Sequence, residues 1–164
     1  GDSGFYGMAG LLLELIQKVK KEFRPSYEVH PGISSMQLAA ALGGAPLMND
    51  FCSISLSDKL TPWETIEQRI TGALIGDFVI TIFNPQSHER NWQLKKTIEL
   101  CLKHRLGNTP VLVARQVGRG NESKTFFNLE NLPFEDIDML SIIIIGNSKT
   151  TLVDEIFLTP RGYL

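Results

Sequence analysis

Three short apolar runs, Phe78 to Phe83, Val111 to Ala114 and Leu140 to Ile145, most constrain what this chain can fold into. Each has the length of a β-strand, and apolar runs without polar alternation are what strands covered on both faces require. Helical patterns lie before and between them. Met8, Leu12, Leu15, Ile16, Val19 and Phe23 recur at helical spacing from about Tyr6 to Phe23. Arg24-Pro25 ends that helix, because the residue before a proline is driven out of the helical region. Ser34 or Ser35 can cap a second helix that runs to about Leu42 and stops at Gly43-Gly44. Thr61-Pro62-Trp63-Glu64 reads as a helix start, with threonine as cap, proline at the first helical position and glutamate close behind. A further helix is expected over His88 to Arg105. Tyr27 to His30, Phe51 to Leu56 and Glu155 to Leu158 complete the expected strands. Strands alternating with helices predict an α/β fold around a largely parallel sheet.

Composition narrows the function classes. With 164 residues, 43% hydrophobic and 21% charged, the chain matches a globular protein of one domain, or one domain and part of another. No apolar run approaches the roughly 20 residues of a bilayer span. A formal net charge of -2 argues against a general electrostatic grip on nucleic acid. Cys52 and Cys101 sit in apolar segments, which predicts buried thiols in a reducing, cytoplasmic setting and no disulfide. The three histidines form no spaced ligand set, so no metal site is expected. There is no GxSxG elbow, phosphate loop or GxGxxG.

Ligands of open α/β sheets gather beyond the C-terminal ends of strands. Five polar or glycine-rich loops are expected on one such rim: Gly1 to Gly7, Pro31 to Ser35, Asn84 to Arg90, Arg115 to Glu122 and Gly146 to Thr150. Glycines let backbone amides approach a ligand, and Asp2 can accept hydrogen bonds. Ser34 and Ser35 can cap a helix or face a ligand. Arg90 could grip a carboxylate at two points, or be a solvated first-turn residue. Arg115 and Arg119, with Gly118 and Gly120, form a second basic loop, and several arginines around one cleft suit a substrate with multiple carboxylates.

The segments GDSGFYGMAG, VHPGISS, DFCSISLSDKLTPWE, FNPQSHERNWQL, TPVLVARQVGR, IIIIGNS and TPRGY, in this order, resemble the tetrapyrrole (corrin/porphyrin) methylases, nearest to the branch acting at ring carbon 17. The resemblance spans Gly1 to Tyr163 and implies a two-domain α/β methylase fold. Residues 1–46 would be the end of the N-terminal domain and 47–164 the C-terminal domain. A strand and a GPG-type loop are expected upstream of Gly1, so the chain reads as N-terminally shortened. The implied cofactor is S-adenosylmethionine, leaving as S-adenosylhomocysteine, held by Gly1, Asp2, Phe5, Ser34, Ser35, Asn84 and Val117. Ser3 departs from the proline usual in the family. The implied reaction methylates C17 of precorrin-3B, or its cobalt form, with contraction of the ring. Arg90, Arg115 and Arg119 would bind the acidic side chains of the corrinoid, and His88 would move a proton. A homodimer is expected, with neither nucleic acid nor membrane as partner. The competing readings are a corrin-ring methylase acting at another carbon, and a non-catalytic dimerising fragment.

Overall fold

The computed structural model describes residues 1–87 and 89–163. In chain order it contains helix α1 (Met8–Lys18), a 3-10 turn (Lys21–Phe23), α2 (Ser35–Gly43), β1 (Gly44–Ala45), β2 (Phe51–Ser55), α3 (Trp63–Ile75) and β3 (Val79–Phe83). Then follow α4 (Gln93–Leu102), β4 (Pro110–Arg115), β5 (Ser123–Asn128), 3-10 turns at Leu129–Asn131 and Phe134–Asp136, β6 (Ser141–Ile145), β7 (Thr151–Val153) and β8 (Ile156–Leu158). None of the described helices is long and apolar enough to cross a membrane.

The main sheet has the order β2-β3-β6-β4-β5. Its two faces follow from strand alternation. Ile80, Ile82, Val111, Ile143 and Ile145 pack against Ile66 and Ile70 of α3 and Leu94 and Ile98 of α4. Val79, Leu112, Ala114, Ile142 and Ile144 pack against Met36, Ala39 and Ala40 of α2, joined by Phe157. Ile142 to Ile145 are at most 2% exposed, which explains four consecutive isoleucines in one strand. Each such side chain contributes roughly 1.5–3 kcal/mol of burial free energy.

The α/β class holds, but the sheet is not largely parallel. β2 and β3 are parallel, whereas β3–β6, β6–β4 and β4–β5 are all antiparallel. A strand buried on both faces reads the same whichever way its neighbours run, so the apolar runs could not reveal direction. One consequence corrects the expected rim. Because β6 runs against β3 and β4, the loop Gly146 to Thr150 leaves at the opposite end of the sheet. There the Gly146 N–H donates to Pro110 O at 2.9 Å. Asn147 Nδ2 donates to Asp77 O at 3.0 Å, and the Ser148 N–H donates to Asp77 Oδ1 at 3.0 Å. The Gly-Asn-Ser segment is a structural knot at the entry to β3.

Several elements differ from expectation. α1 is shorter than predicted, and of its apolar positions only Ile16 is buried. Met8, Leu12 and Leu15 are each more than half exposed. Tyr27 to His30 pairs with no strand among the described residues. α4 starts at Gln93, because Ser87 and Arg90 first exchange both backbone hydrogen bonds across a tight bridge, at 2.9 and 3.1 Å. β5 was missed because it is an edge strand with mostly polar, exposed residues. β7 was missed because it has three residues. It pairs with β8 across Asp154 and Glu155, both with positive φ as a two-residue hairpin turn demands.

Candidate active site

At one rim of the main sheet β2, β3 and β4 end, while β5 and β6 begin. The chain turns sharply as it leaves two of these strands. Asn84, directly after β3, and Gln116, directly after β4, have φ values of 50° and 54°. Left-handed backbone costs a non-glycine residue about 1–2 kcal/mol and persists only where the surroundings enforce it. Tyr6, in the first loop, shares this conformation at 51°.

The first two loops are stitched together by Asp2. Its Oδ1 accepts the Gly4 N–H at 2.8 Å and its Oδ2 accepts the Gly32 N–H at 2.9 Å. These bonds, Gly32 foremost, hold the Asp2 carboxyl below its ordinary range. A side chain at position 32 would place its Cβ 2.1 Å from Gly1 O, so the junction admits only glycine there. The aspartate therefore organises the loop before it meets any ligand. Phe5, Tyr6 and Phe83 form an aromatic cluster with centroid separations of 4.9 to 5.3 Å, clamping the first loop over the end of β3.

These loops enclose a two-lobed cleft, each lobe about 320 Å³. Phe5, Tyr6, Ser35, Phe83, Val117 and Arg119 border both lobes. Asn84 and Gln116 add to one lobe, and Gly1, Asp2, Ser34 and Gly118 to the other. All seven residues expected at the cofactor thus stand around one cleft. At its wall Gln37 Oε1 accepts the Ser34 N–H at 2.9 Å. Ser34 Oγ lies opposite the Gln37 N–H but makes no well-formed hydrogen bond, leaving a buried hydroxyl without a partner among the described residues.

The arginines divide. Arg119 is exposed and borders both lobes. Arg90 is only 6% exposed and donates to Leu56 O at 3.2 Å, to Asn84 O and to Met139 Sδ. Burial lowers its pKa, partly offset by Asp58. It ties the loops after β2 and β3 to the segment before β6, and so acts on the cleft through Asn84 instead of offering a free guanidinium. Arg115 makes a two-nitrogen contact with Asp138 Oδ2 at 3.0 and 2.7 Å, which raises its own pKa and holds the Asp138 carboxyl low. Its guanidinium is likewise engaged. His88 lies outside the described residues. The expected residue set omitted Tyr6, Phe83 and Gln116. The aromatic pair was visible as large residues beside the loops, whereas the left-handed turn at Gln116 carries no signal in residue type.

Among the described residues the cleft holds no paired acid and base and no group of three metal-ligating side chains. Loops, aromatic rings and one exposed cation line it instead.

The family model for tetrapyrrole (corrin/porphyrin) methylases matches residues 1–133. The probable cobalt-factor III C(17)-methyltransferase of Salmonella typhimurium is 46% identical over 163 residues, covering 99% of this chain and 67% of the relative. The cobalt-factor III methyltransferase of Priestia megaterium is also 46% identical, over 165 residues, covering 99% of this chain and 31% of that protein. The crystal structure of the methyltransferase CobJ superposes with a TM-score of 0.92 at 34% identity, covering 98% of this chain and 67% of CobJ. A uroporphyrin-III C-methyltransferase of Thermus thermophilus, solved with S-adenosylhomocysteine, shares the fold at 20% identity and a TM-score of 0.59, covering 89% of this chain and 62% of that one. The chain belongs to the tetrapyrrole methylase family. It spans about two thirds of the Salmonella relative and about a third of the Priestia one.

Proposed function

We propose that this chain serves an S-adenosylmethionine-dependent C-methyltransferase of cobalamin biosynthesis, which methylates C17 of precorrin-3B or its cobalt form with ring contraction. The observation that carries the reading is the convergence of Gly1, Asp2, Phe5, Ser34, Ser35, Asn84 and Val117 on one cleft. The 46% identity to a relative named for the C17 reaction selects the ring position.

The cleft fits the cofactor in three respects. Its glycine loops bring backbone groups to the surface, the Ser34 hydroxyl borders it while its oxygen faces the Gln37 N–H, and Phe5 and Phe83 supply aromatic walls for an adenine-sized ring. When bound, S-adenosylmethionine supplies a methyl group on a positively charged sulfur, already electrophilic. What remains for the protein is to fix donor and acceptor in line, a source of large rate acceleration that needs no covalent nucleophile. Phe5 and Val117 would hold the donor, with Ser34 and Ser35 offering hydroxyls. The Phe5–Tyr6–Phe83 cluster would exclude water. Arg119, which borders both lobes, would pair with a carboxylate of the corrinoid. The proton transfers of ring contraction are assigned to His88.

Residues 1–46 and 47–164 are proposed as parts of two methylase domains, α2 packing on the sheet of the second. A homodimer in the cytoplasm is proposed as the working form. The exposed apolar face of α1, formed by Met8, Leu11, Leu12 and Leu15, offers surface for association.

Incubation with S-adenosylmethionine and precorrin-3B, followed by mass spectrometry and carbon NMR of the product, tests the reading. A methyl at C17 of a contracted ring is expected. A methyl at another carbon would reassign the chain to a different corrin-ring methylase. Cofactor binding without any product would favour a non-catalytic, dimerising role.

A further inference from the structure

Among the described residues, Tyr6 alone borders both lobes of the cleft and also the open space adjoining it along β2. Its backbone is left-handed, at φ 51°, a conformation that a bulky aromatic residue keeps only where its surroundings enforce it. Two sets of contacts do so. Tyr6 Oη donates to Ser53 O at 3.0 Å, and the ring centroid lies 4.9 Å from that of Phe83 and 5.3 Å from that of Phe5. The residue is nevertheless 53% exposed, so a firmly held ring still offers surface to the cavities around it.

The cleft is short of free negative charge. Asp2 is the only carboxylate on its border among the described residues, and each of its oxygens already accepts a backbone N–H. Arg119, exposed on both lobes, adds positive charge. A ligand with a cation at its centre therefore meets aromatic rings here in place of a free anion. The face of such a ring is the negative part of its quadrupole and attracts a cation lying within about 6 Å of the centroid. Of the three rings, that of Tyr6 is the most electron-rich. Its oxygen feeds density into the ring, and does so more strongly while its hydrogen is donated to Ser53 O.

We infer that Tyr6 reads the charge of the methyl donor, its ring facing the sulfonium of S-adenosylmethionine and telling it from neutral S-adenosylhomocysteine. The inference rests on the methyltransferase reading and adds to it one specificity-determining residue, absent from the expected cofactor contacts. Position supports it as well as chemistry. A methyl group can leave the cleft only where the cleft opens on other space, and Tyr6 stands at such an opening. Because the product lacks the charge, the ring favours donor over product and so favours their exchange after each turnover.

Calorimetric titration with S-adenosylmethionine and with S-adenosylhomocysteine tests the inference through the ratio of the two affinities. Tyr6→Leu keeps apolar bulk but removes the ring, and should weaken S-adenosylmethionine about twofold to tenfold more than S-adenosylhomocysteine. Tyr6→Phe keeps the ring without its anchor to Ser53, and should change the two affinities nearly alike. Pentafluorophenylalanine at position 6 has nearly the shape of phenylalanine but a reversed quadrupole, so it should shift the ratio as Tyr6→Leu does even if that variant folds poorly. An unchanged ratio in the pentafluorophenylalanine form would overturn the inference. A shift in Tyr6→Phe as large as in Tyr6→Leu would do so too, by tracing the effect to the anchor. In either case S-adenosylhomocysteine binding by the unaltered chain would leave the methyltransferase reading standing. If the unaltered chain bound neither ligand, that reading would fall and the role of Tyr6 with it.

Discussion

Arg90 offers a sharp test of how the rim is held. Replacing it with methionine keeps most of the side-chain volume but removes the donors to Leu56 O and Asn84 O. A buried acceptor left without its partner costs roughly 1–3 kcal/mol, and two such losses are partly offset because a desolvated charge disappears with them. The net expectation is destabilisation of about 2–4 kcal/mol. A chain of this size has a urea slope of about 2 kcal/mol/M, so the unfolding midpoint should fall by about 1–2 M. Far-UV circular dichroism across a urea series reads this directly. Affinity for S-adenosylhomocysteine should fall as well, because Asn84 loses the contact that supports its left-handed turn. If Arg90 instead served the substrate with a free guanidinium, Arg90→Met would keep its midpoint and lose only corrinoid binding. That outcome would refute the positioning role.

Gly32→Ala should sharply weaken S-adenosylhomocysteine binding, since the new methyl would meet Gly1 O and push the two glycine loops apart; calorimetry of the variant checks it. The Asp2 carboxyl, with its pKa lowered on folding, stabilises the loop junction above the ordinary value of 3.8 and loses that effect as pH falls through its lowered value. Protection of the Gly4 and Gly32 amides, measured against their intrinsic exchange rates at each pH, should therefore fall in acid, and Asp2→Asn should remove that dependence. Burial pushes the Cys52 and Cys101 thiols up to about 11, so both should resist alkylation at pH 8 in the native chain and react rapidly in urea, as mass spectrometry would show.

Much of this architecture was legible from residue order because burial writes a strong pattern. The runs ending at Phe83, Ala114 and Ile145 could only be interior strands, and Pro62-Trp63-Glu64 marked the start of α3 to within a residue. What stayed hidden depends on partners that local pattern does not encode. The direction of β6 is set by its place between β3 and β4, and that single reversal moved Gly146 to Thr150 off the expected rim. Arg90 is expected from sequence to offer its guanidinium to the substrate from the first turn of a helix beginning at His88. Once the backbone of Ser87 and Arg90 closes on itself, the side chain is directed inward. At the cleft, glycine and serine loops were readable as ligand-facing segments.

Phe5, Ser34, Ser35, Asn84 and Val117 are proposed to surround the cofactor, and a single titration puts that arrangement to the test. S-adenosylhomocysteine would be titrated calorimetrically into the unaltered chain and into Ser35→Trp, which fills the wall shared by both lobes. Micromolar binding by the unaltered chain, lost in Ser35→Trp at an unchanged thermal midpoint, is the predicted result. Equal binding by both, or none by the unaltered chain, would contradict the assignment of the cleft.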